Sequence, residues 1–201
     1  MTRVGQLVLL LSAVVVALGG SASAALLDFE GFAVGDLVSG IGVFSDLYLT
    51  SGSNPIYVTG YVPGPPLSGS RTINPEPYSL PLRADFLISG VDAVSVDMGD
   101  YDIDEDPLYL QAYNSSNVLL DEDTYLLPWW VDGGATMNVA SGPGDIAYVV
   151  FGSGGVYPGS VYTDNFAYNA RPSGAVPELP PVCLAALGLL PLGLLKLRRR
   201  K

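Results

Sequence analysis

The sequence predicts an all-β fold, an antiparallel β-sandwich of the jelly-roll type, for residues 25–170. Helical periodicity is absent from this stretch, and Gly, Pro, Ser and Asn interrupt it every few residues. The runs between these residues are short, rich in Val, Tyr, Leu and Thr, and often alternate apolar with polar side chains. Many short strands at regular spacing are typical of two packed antiparallel sheets.

The individual strands are predicted from alternation with a period of two, because successive strand residues point to opposite faces of a sheet. Val94, Val96 and Met98, for example, share one face of a strand. Ser95 and Asp97 share the other, as expected when one face rests on a core and the other faces water. The predicted strands span residues 42–49, 56–61, 83–88, 93–98, 108–113, 117–120, 124–127, 136–139, 146–151 and 161–168.

Residues 1–24 have the three parts of a secretory signal peptide. Arg3 supplies a positive start, residues 7–18 form a short apolar segment, and Ala22-Ser23-Ala24 is a small-x-small cleavage site. We therefore expect the secretion machinery to export the chain and the mature protein to begin at Ala25. An uncleaved membrane anchor is the alternative, although the short apolar segment and the Ala-x-Ala site favour cleavage.

The C-terminal part of the chain has the pattern of a targeting element. Residues 171–178 are predicted to be a linker ending in a Pro-Glu element, and residues 179–201 a transmembrane helix with a basic end. The 17 uncharged residues 179–195 would span about 25 Å as a helix, slightly less than the roughly 30 Å of a bilayer core. Five of the last six residues are basic, which predicts a cytoplasmic end and argues against the alternative of a buried core helix.

This tail resembles the PEP-CTERM sorting signal. The likeness rests on the Pro-Glu element, on the apolar segment after it and on the terminal arginines, which are Val176, Pro177, Glu178, Arg198, Arg199 and Arg200. In that family an exosortase recognises the signal in bacteria with an outer membrane. The resemblance implies transient anchoring in the inner membrane, cleavage near the Pro-Glu element, and release to the cell envelope or the exterior. Leu179 stands where the pattern has its second proline.

The segment between the two signals resembles the β-sandwich domains that proteins with this sorting signal commonly carry. The matching stretches are residues 28–31, residues 93–113 and residues 164–166. An early Phe-Glu with a late Asp-Asn is also similar to carbohydrate-binding jelly rolls. In those domains the first and last strands together hold a structural calcium ion.

The central segment is strongly acidic. Residues 25–170 contain 19 acidic residues, two arginines (Arg71 and Arg83) and no lysine or histidine, which gives a net charge of −17. Such a domain repels nucleic acid and anionic lipid surfaces and attracts divalent cations. Solubility and mutual repulsion outside the cell are the simpler interpretation of most of these acids.

The residue types needed for the common catalytic sites are missing. The chain has no histidine, and its single cysteine, Cys183, lies in the C-terminal apolar segment. Neither a His-based triad nor a disulfide can therefore form within residues 25–170. We predict that the protein is not an enzyme, while a pair of carboxylates for glycoside hydrolysis stays open because acids are abundant.

Asp28, Glu30 and Asp164 are the first candidate metal ligands. Asp28 and Glu30 fall on one face of a strand, and Asp164 shares a face with Tyr162 and Phe166. A carboxylate among aromatic side chains is costly unless it is paired, hydrogen-bonded or bound to a metal. A calcium ion, which takes about six to eight oxygen ligands, would satisfy these residues. A surface edge strand with Asp164 in water is the alternative.

Alternating acids form a second candidate metal site at Asp100, Asp102, Asp104 and Asp106. Their spacing resembles the start of a calcium loop, but the glycine and glutamate that complete an EF-hand loop are absent. The stretch lies between two predicted strands. Either a cation gathers these carboxylates or they separate into water as a solvated acidic loop. Residues 121–123 are a weaker case of the same kind.

Trp129 and Trp130 are candidate sugar-stacking residues. Adjacent strand residues point in opposite directions, so a simple strand buries at most one of them and leaves the other for a ligand. Filling of the core is the alternative. The sequence as a whole predicts an exported structural or adhesive protein that engages extracellular polysaccharide and binds no nucleic acid. A calcium-dependent carbohydrate-binding module is the alternative, and a glycan-cleaving enzyme is a second one.

Overall fold

The computed structural model describes residues 23–40, 42–100, 105–128, 133–142 and 146–170. Most of the predicted signal peptide and all of the predicted C-terminal targeting segment lie outside these ranges. Within the ranges, no helix is long and apolar enough to cross a membrane. The stretch Ser21–Ser173 is one compact unit. It contains every described strand and the core between them, so a fragment with these ends is expected to fold on its own.

Eleven β-strands make up the described part of the chain, and the prediction of an all-β fold is confirmed. They are β1 (Ser23–Leu27), β2 (Leu47–Thr50), β3 (Ile56–Thr59), β4 (Thr72–Pro75), β5 (Leu82–Phe86), β6 (Val91–Asp100), β7 (Asp106–Tyr113), β8 (Leu119–Leu127), β9 (Gly133–Ala140), β10 (Tyr148–Ser153) and β11 (Tyr162–Ala170).

Two antiparallel sheets pack face to face. Sheet A has the strand order β3-β4-β11-β6-β9, with β1 also paired to β11, and sheet B has the order β2-β5-β10-β7-β8. Four pairs are nested in the sequence: β7 with β8, β6 with β9, β5 with β10, and β4 with β11. Nested pairs that alternate between two sheets are the strand arrangement of a jelly roll.

The core lies between the sheets and consists of inward-facing side chains from both. Phe166 of sheet A packs against Phe151 of sheet B with ring centroids 5.7 Å apart, and against Phe86 of sheet B at 6.4 Å. These contacts join the two layers. Around them, the fully buried side chains include Leu47, Leu49, Ile56, Ile73, Leu82, Met98, Leu108, Leu110 and Met137.

Three parts of the strand prediction differ from the structure. The short strands β1 and β4 were not predicted, because β1 overlaps the expected signal-peptide cleavage site and β4 is buried at all four residues and so lacks alternation. Residues 117–120 and 124–127 were expected to be separate strands, but β8 runs through the acids between them. This is tolerated because β8 is an edge strand, and charged side chains are common at sheet edges.

Candidate functional site

A β-bulge in β11 creates a polar cluster on the outer face of sheet A, the face turned away from the core. The pairing of β11 with β6 places Asp164 opposite Asp97 and then shifts before Ala167. Asn165, inside the bulge, has a left-handed backbone with φ of 46°, which asparagine tolerates better than most residues. The shift separates Asp164 from Phe166, which packs in the core, so the prediction that these two residues share a face was wrong.

Asp164 is buried in this cluster, with 1% of its surface exposed. Its Oδ1 accepts a hydrogen bond from the Asn165 amide at 2.7 Å, and its Oδ2 accepts one from the Ser68 amide at 3.1 Å. Burial raises the pKa of Asp164 to about 6; the two amides lower it in part, while the charges of Asp97 and Glu30 raise it further. The chain segment at Ser68 therefore covers the Asp164 carboxyl group.

Asp97 completes the cluster. Its Oδ1 accepts a hydrogen bond from the Thr136 hydroxyl at 2.6 Å, and its Oδ2 accepts one from Asn165 Nδ2 at 2.8 Å. Both carboxylates of the Asp97–Asp164 pair thus have donors within the protein. The pair is not arranged to protonate or attack a substrate from solvent, because Asp97 too is almost fully buried.

Glu30 fastens the segment that covers Asp164. Its Oε1 accepts hydrogen bonds from the amides of Ser70 and Arg71 at 2.6 and 2.9 Å, and its Oε2 accepts one from the Ser70 hydroxyl at 2.9 Å. The Ser70 amide is the main reason that the pKa of Glu30 is held below its usual value. Glu30 and Asp164 therefore hold neighbouring points of one segment, residues 68–71.

The three predicted metal ligands do not converge on one point. Asp28 is exposed, and its Oδ1 accepts a hydrogen bond from the amide of Glu30 at 3.2 Å, within its own turn. Among the described residues, no group of three or more acids is close enough to hold a metal ion. In the structure, the carboxylate oxygens of Glu30 and Asp164 accept hydrogen bonds from N–H and O–H donors. Calcium binding by this chain stays a prediction.

The second acidic candidate is divided between two strands and an undescribed stretch. Asp100 is the last residue of β6, Asp106 is the first residue of β7, and Asp102 and Asp104 lie outside the described residues. Asp106 is buried, and its Oδ1 accepts a hydrogen bond from the Ser153 hydroxyl at 2.7 Å. At least this carboxylate is therefore engaged by the strand beside it rather than solvated in a loop.

The predicted sugar-stacking residues Trp129 and Trp130 also lie outside the described residues. A tyrosine near them in sequence belongs to a closed network on the outer face of sheet B. Tyr113 stacks on Tyr148 at a centroid distance of 4.9 Å, and the Arg83 guanidinium lies 3.6 Å from the Tyr148 ring centroid. Arg83 also donates to Asp85, with Nε–Oδ2 at 2.8 Å. The two tyrosine rings, the Arg83 guanidinium and the Asp85 carboxylate thus interact mainly with one another.

A cleft on the outer face of sheet A was not predicted. It has a volume of about 420 Å³ and lies where β3, β4 and β11 meet the segments after β1 and β4. Its lining residues are Val34, Gly35, Tyr57, Val58, Thr59, Asn74, Glu76, Tyr78 and Tyr162. Clefts of this size are typical of small-ligand sites. Tyr57 and Thr59 lie on one face of a strand that was predicted. Asn74 lies on β4, which was not predicted, so its place beside Tyr57 could not be inferred.

The cleft combines aromatic surface with polar groups that are free to bind. Tyr162 is 7% exposed, so most of its ring is covered, whereas Tyr78 is 42% exposed. Within the described part of the chain, the side chains of Tyr57, Asn74, Glu76 and Tyr78 form no hydrogen bond. Phenol and carboxamide groups can both donate and accept, and a carboxylate can accept. The cleft therefore suits a ligand that carries many hydroxyl groups.

No protein-family profile matches the chain, and no curated protein matches it significantly. Several solved structures are similar in fold. The C-terminal family 22 carbohydrate-binding module of Clostridium thermocellum Xyn10B is 13% identical, with a TM-score of 0.46 and coverage of 80% of this chain and 99% of that one. A DUF4465 family protein from Bacteroides caccae is 10% identical, with a TM-score of 0.42 and coverage of 74% and 100%.

An arabinose-bound GH51 α-L-arabinofuranosidase is 12% identical, with a TM-score of 0.42 and coverage of 76% of this chain. The present chain spans 26% of the length of that enzyme. Likeness at these identities and scores supports no statement about a ligand or an activity.

The raised pKa of Asp164 predicts that stability falls as the pH rises from about 4 to about 6. Because the folded-state pKa of about 6 lies above the ordinary 3.8, the favourable contribution is present below pH 3.8 and is lost through this window. A shift of about two pH units corresponds to roughly 3 kcal/mol in the free energy of unfolding. Urea denaturation of the Ser21–Ser173 fragment between pH 4 and 7 measures this slope.

In the Asp164→Asn variant, the free energy of unfolding should fall less between about pH 4 and 6, because the asparagine side chain cannot ionise. Asp28→Asn removes the same charge at an exposed position and serves as the control. Equal slopes for all three proteins would contradict the assignment to Asp164.

Proposed function

We propose that this chain is an exported, non-enzymatic protein that binds extracellular polysaccharide through the cleft on sheet A. The observation that carries the proposal is that the cleft places Tyr57 and Tyr78 beside Asn74 and Glu76, whose side chains form no hydrogen bond with any described residue. The faces of aromatic rings pack on the apolar faces of sugar rings. The polar side chains would then exchange hydrogen bonds with sugar hydroxyls.

The charges around the cleft favour an uncharged glycan. Glu76 is the one charged residue in the described lining. Arg71 donates to the carbonyl oxygens of Ser70 and Phe32, and Arg83 pairs with Asp85, so both guanidiniums are engaged away from the cleft. With a net charge of −17 on residues 25–170, the domain repels uronate and sulfate groups over roughly 8 Å at physiological salt.

Two observations support a binding role over a hydrolytic one. Glycoside hydrolysis ordinarily needs two carboxyl groups facing the scissile bond, about 5–10 Å apart. The described cleft lining holds one carboxyl group, that of Glu76. The Asp97–Asp164 pair is buried and hydrogen-bonded within the protein.

The place of action is proposed from the two ends of the sequence. Residues 1–24 would direct export, and residues 179–201 would hold the chain in the inner membrane. An exosortase-type enzyme would then recognise the element at Val176, Pro177 and Glu178 and release the domain to the envelope or the exterior. An exported, soluble and acidic binding domain is consistent with a structural or adhesive role in an extracellular matrix.

The cleft predicts binding of neutral polysaccharide by the Ser21–Ser173 fragment. Affinity electrophoresis with xylan, mannan and mixed-linkage glucan should retard the fragment, while alginate should not. Tyr78→Ala and Asn74→Ala should each weaken binding about 10-fold or more, since loss of one stacking or hydrogen-bonding group costs roughly 1–2 kcal/mol.

Tyr157→Ala is the matched control, because Tyr157 is 62% exposed and is not part of the cleft lining. Failure to bind any polysaccharide would overturn the proposed function. Binding of alginate in preference to the neutral chains would overturn the choice of an uncharged ligand. An equal loss of polysaccharide binding in the Tyr78→Ala and Tyr157→Ala variants would show that the binding surface is not the cleft.

A calcium-dependent carbohydrate-binding module is the alternative to this proposal, and the same fragment tests it. If Asp28, Glu30 and Asp164 bind calcium, millimolar CaCl₂ should raise the thermal midpoint of the fragment and a chelator should lower it. An ion at 100 times its dissociation constant adds about 2.7 kcal/mol to stability. If calorimetry shows the same thermal midpoint with CaCl₂ and with a chelator, the domain binds no stabilising calcium ion.

A further inference from the structure

Strand β9 is one edge strand of sheet A, and its own sequence carries no protection against pairing with another strand. The residues GGATMNVA of Gly133–Ala140 include no charged residue and no proline. An uncharged edge strand of eight residues is a template for β-strand addition by another chain. Natural sheets usually block such an edge with charges, prolines, bulges or a covering segment.

The exposed side of this edge is already occupied by side chains from the other sheet. In an antiparallel strand, alternate amides point away from the paired neighbour, and those of Asn138 and Ala140 point away from β6. Asp123 Oδ2 accepts a hydrogen bond from the Asn138 amide at 2.8 Å. Asp121 Oδ2 accepts one from the Ala140 amide, also at 2.8 Å.

The spacing of the acids matches the spacing of the amides. Asp121 and Asp123 are two residues apart on β8, the edge strand of sheet B, and therefore point to the same side. Glu122 between them points to the opposite side, where its Oε1 accepts a hydrogen bond from Gln111 Nε2 at 2.7 Å. The amide of Gly134, farther along the same edge, donates to the carbonyl oxygen of Pro65 at 3.1 Å.

We propose that Asp121 and Asp123 take the place of a neighbouring strand and keep the β9 edge from pairing with β9 of a second copy of this chain. They occupy two of the amides that a partner strand would use. They also place negative charge where another acidic copy would approach. This role is independent of the cleft and would matter wherever an exported protein is concentrated in a matrix.

The test compares variants of the Ser21–Ser173 fragment. In Asp121→Ala/Asp123→Ala, amide hydrogen exchange at Asn138 and Ala140 should become at least 10-fold faster. Size-exclusion chromatography with light scattering should show concentration-dependent association. Glu105→Ala/Glu122→Ala removes the same charge outside the contact and should stay monomeric. Asp121→Asn/Asp123→Asn retains an acceptor oxygen at each site and should associate less than the alanine variant.

A second measurement needs no variant and stands even if the alanine protein fails to fold. In the unaltered fragment, the amides of Asn138 and Ala140 should be protected from exchange as strongly as amides paired within sheet A. Exchange at the rate of exposed amides would overturn the proposal. So would a folded double-alanine variant that remains monomeric at millimolar concentration.

Discussion

A chain that ends at Ala175 is expected to appear in the soluble periplasmic fraction of a bacterial host without an exosortase. The full-length chain should instead sediment with the inner membrane of the same host. The physical reason is the uncharged segment of 17 residues 179–195, followed by basic residues that stay on the cytoplasmic side. Fractionation followed by immunoblotting measures the difference, which should be close to complete.

The sorting step is separated from simple anchoring by a second variant. Pro177→Ala/Glu178→Ala leaves the apolar segment intact, so it should remain in the membrane of the host without an exosortase. In a host with a PEP-CTERM system, the unaltered chain should lose its tail while this variant keeps it. Identical fractionation of the full-length and shortened chains would show that the tail does not hold the protein in a membrane.

The Phe166→Ala substitution is expected to destabilise the domain by about 3–5 kcal/mol, the usual cost of deleting a buried aromatic ring. Phe166 is 1% exposed and contacts rings of both sheets, so its removal leaves a cavity that one layer cannot fill alone. Since many domains have a stability of only about 5–15 kcal/mol, a large part of the total would be lost. Urea denaturation of the Ser21–Ser173 fragment measures the change.

Leu26→Ala is the control for this variant. Leu26 is 59% exposed on β1, and substitutions at such sites usually change stability by no more than about 0.5 kcal/mol. A cost for Phe166→Ala below about 1 kcal/mol would mean that the two sheets are not held together by this aromatic cluster.

Local pattern was sufficient to predict the strands that have one face on the core. Alternation in β6 placed Val94, Val96 and Met98 inside, where the structure has them. The same rule failed for β4, which is covered on both faces. It also failed at the bulge of β11, where the inserted residue moves Phe166 to the core side.

The cleft could not be predicted because its parts come from distant places in the sequence. Tyr57 lies on β3 and Tyr162 on β11, and only the insertion of β4 between these strands brings both beside Asn74. Strand order is set by the packing of the whole sandwich. No local feature of any one of these segments signals it.

The acids were the hardest residues to interpret from the sequence. Several candidate ion ligands accept hydrogen bonds from backbone amides, as Glu30, Asp121, Asp123 and Asp164 do. In a domain with two arginines and no lysine, backbone N–H groups are the most available donors. The partners of these acids are distant in sequence. The amides bound by Asp121 and Asp123 lie 15 or more residues away. Glu30 and Asp164 bind the amides of Ser70 and Ser68, which lie 40 or more residues away.

The nested pairing of the strands has a consequence for the timing of the proposed export. β11 is the last strand in the chain, yet it lies in the interior of sheet A, where it pairs with β1, β4 and β6. If the chain is exported as proposed, the sheet cannot close until residue 170 has crossed the membrane, six residues before Val176, where the proposed sorting element begins. The domain should remain open, and suitable for threading through a translocation channel, until almost the moment at which the tail stops transfer.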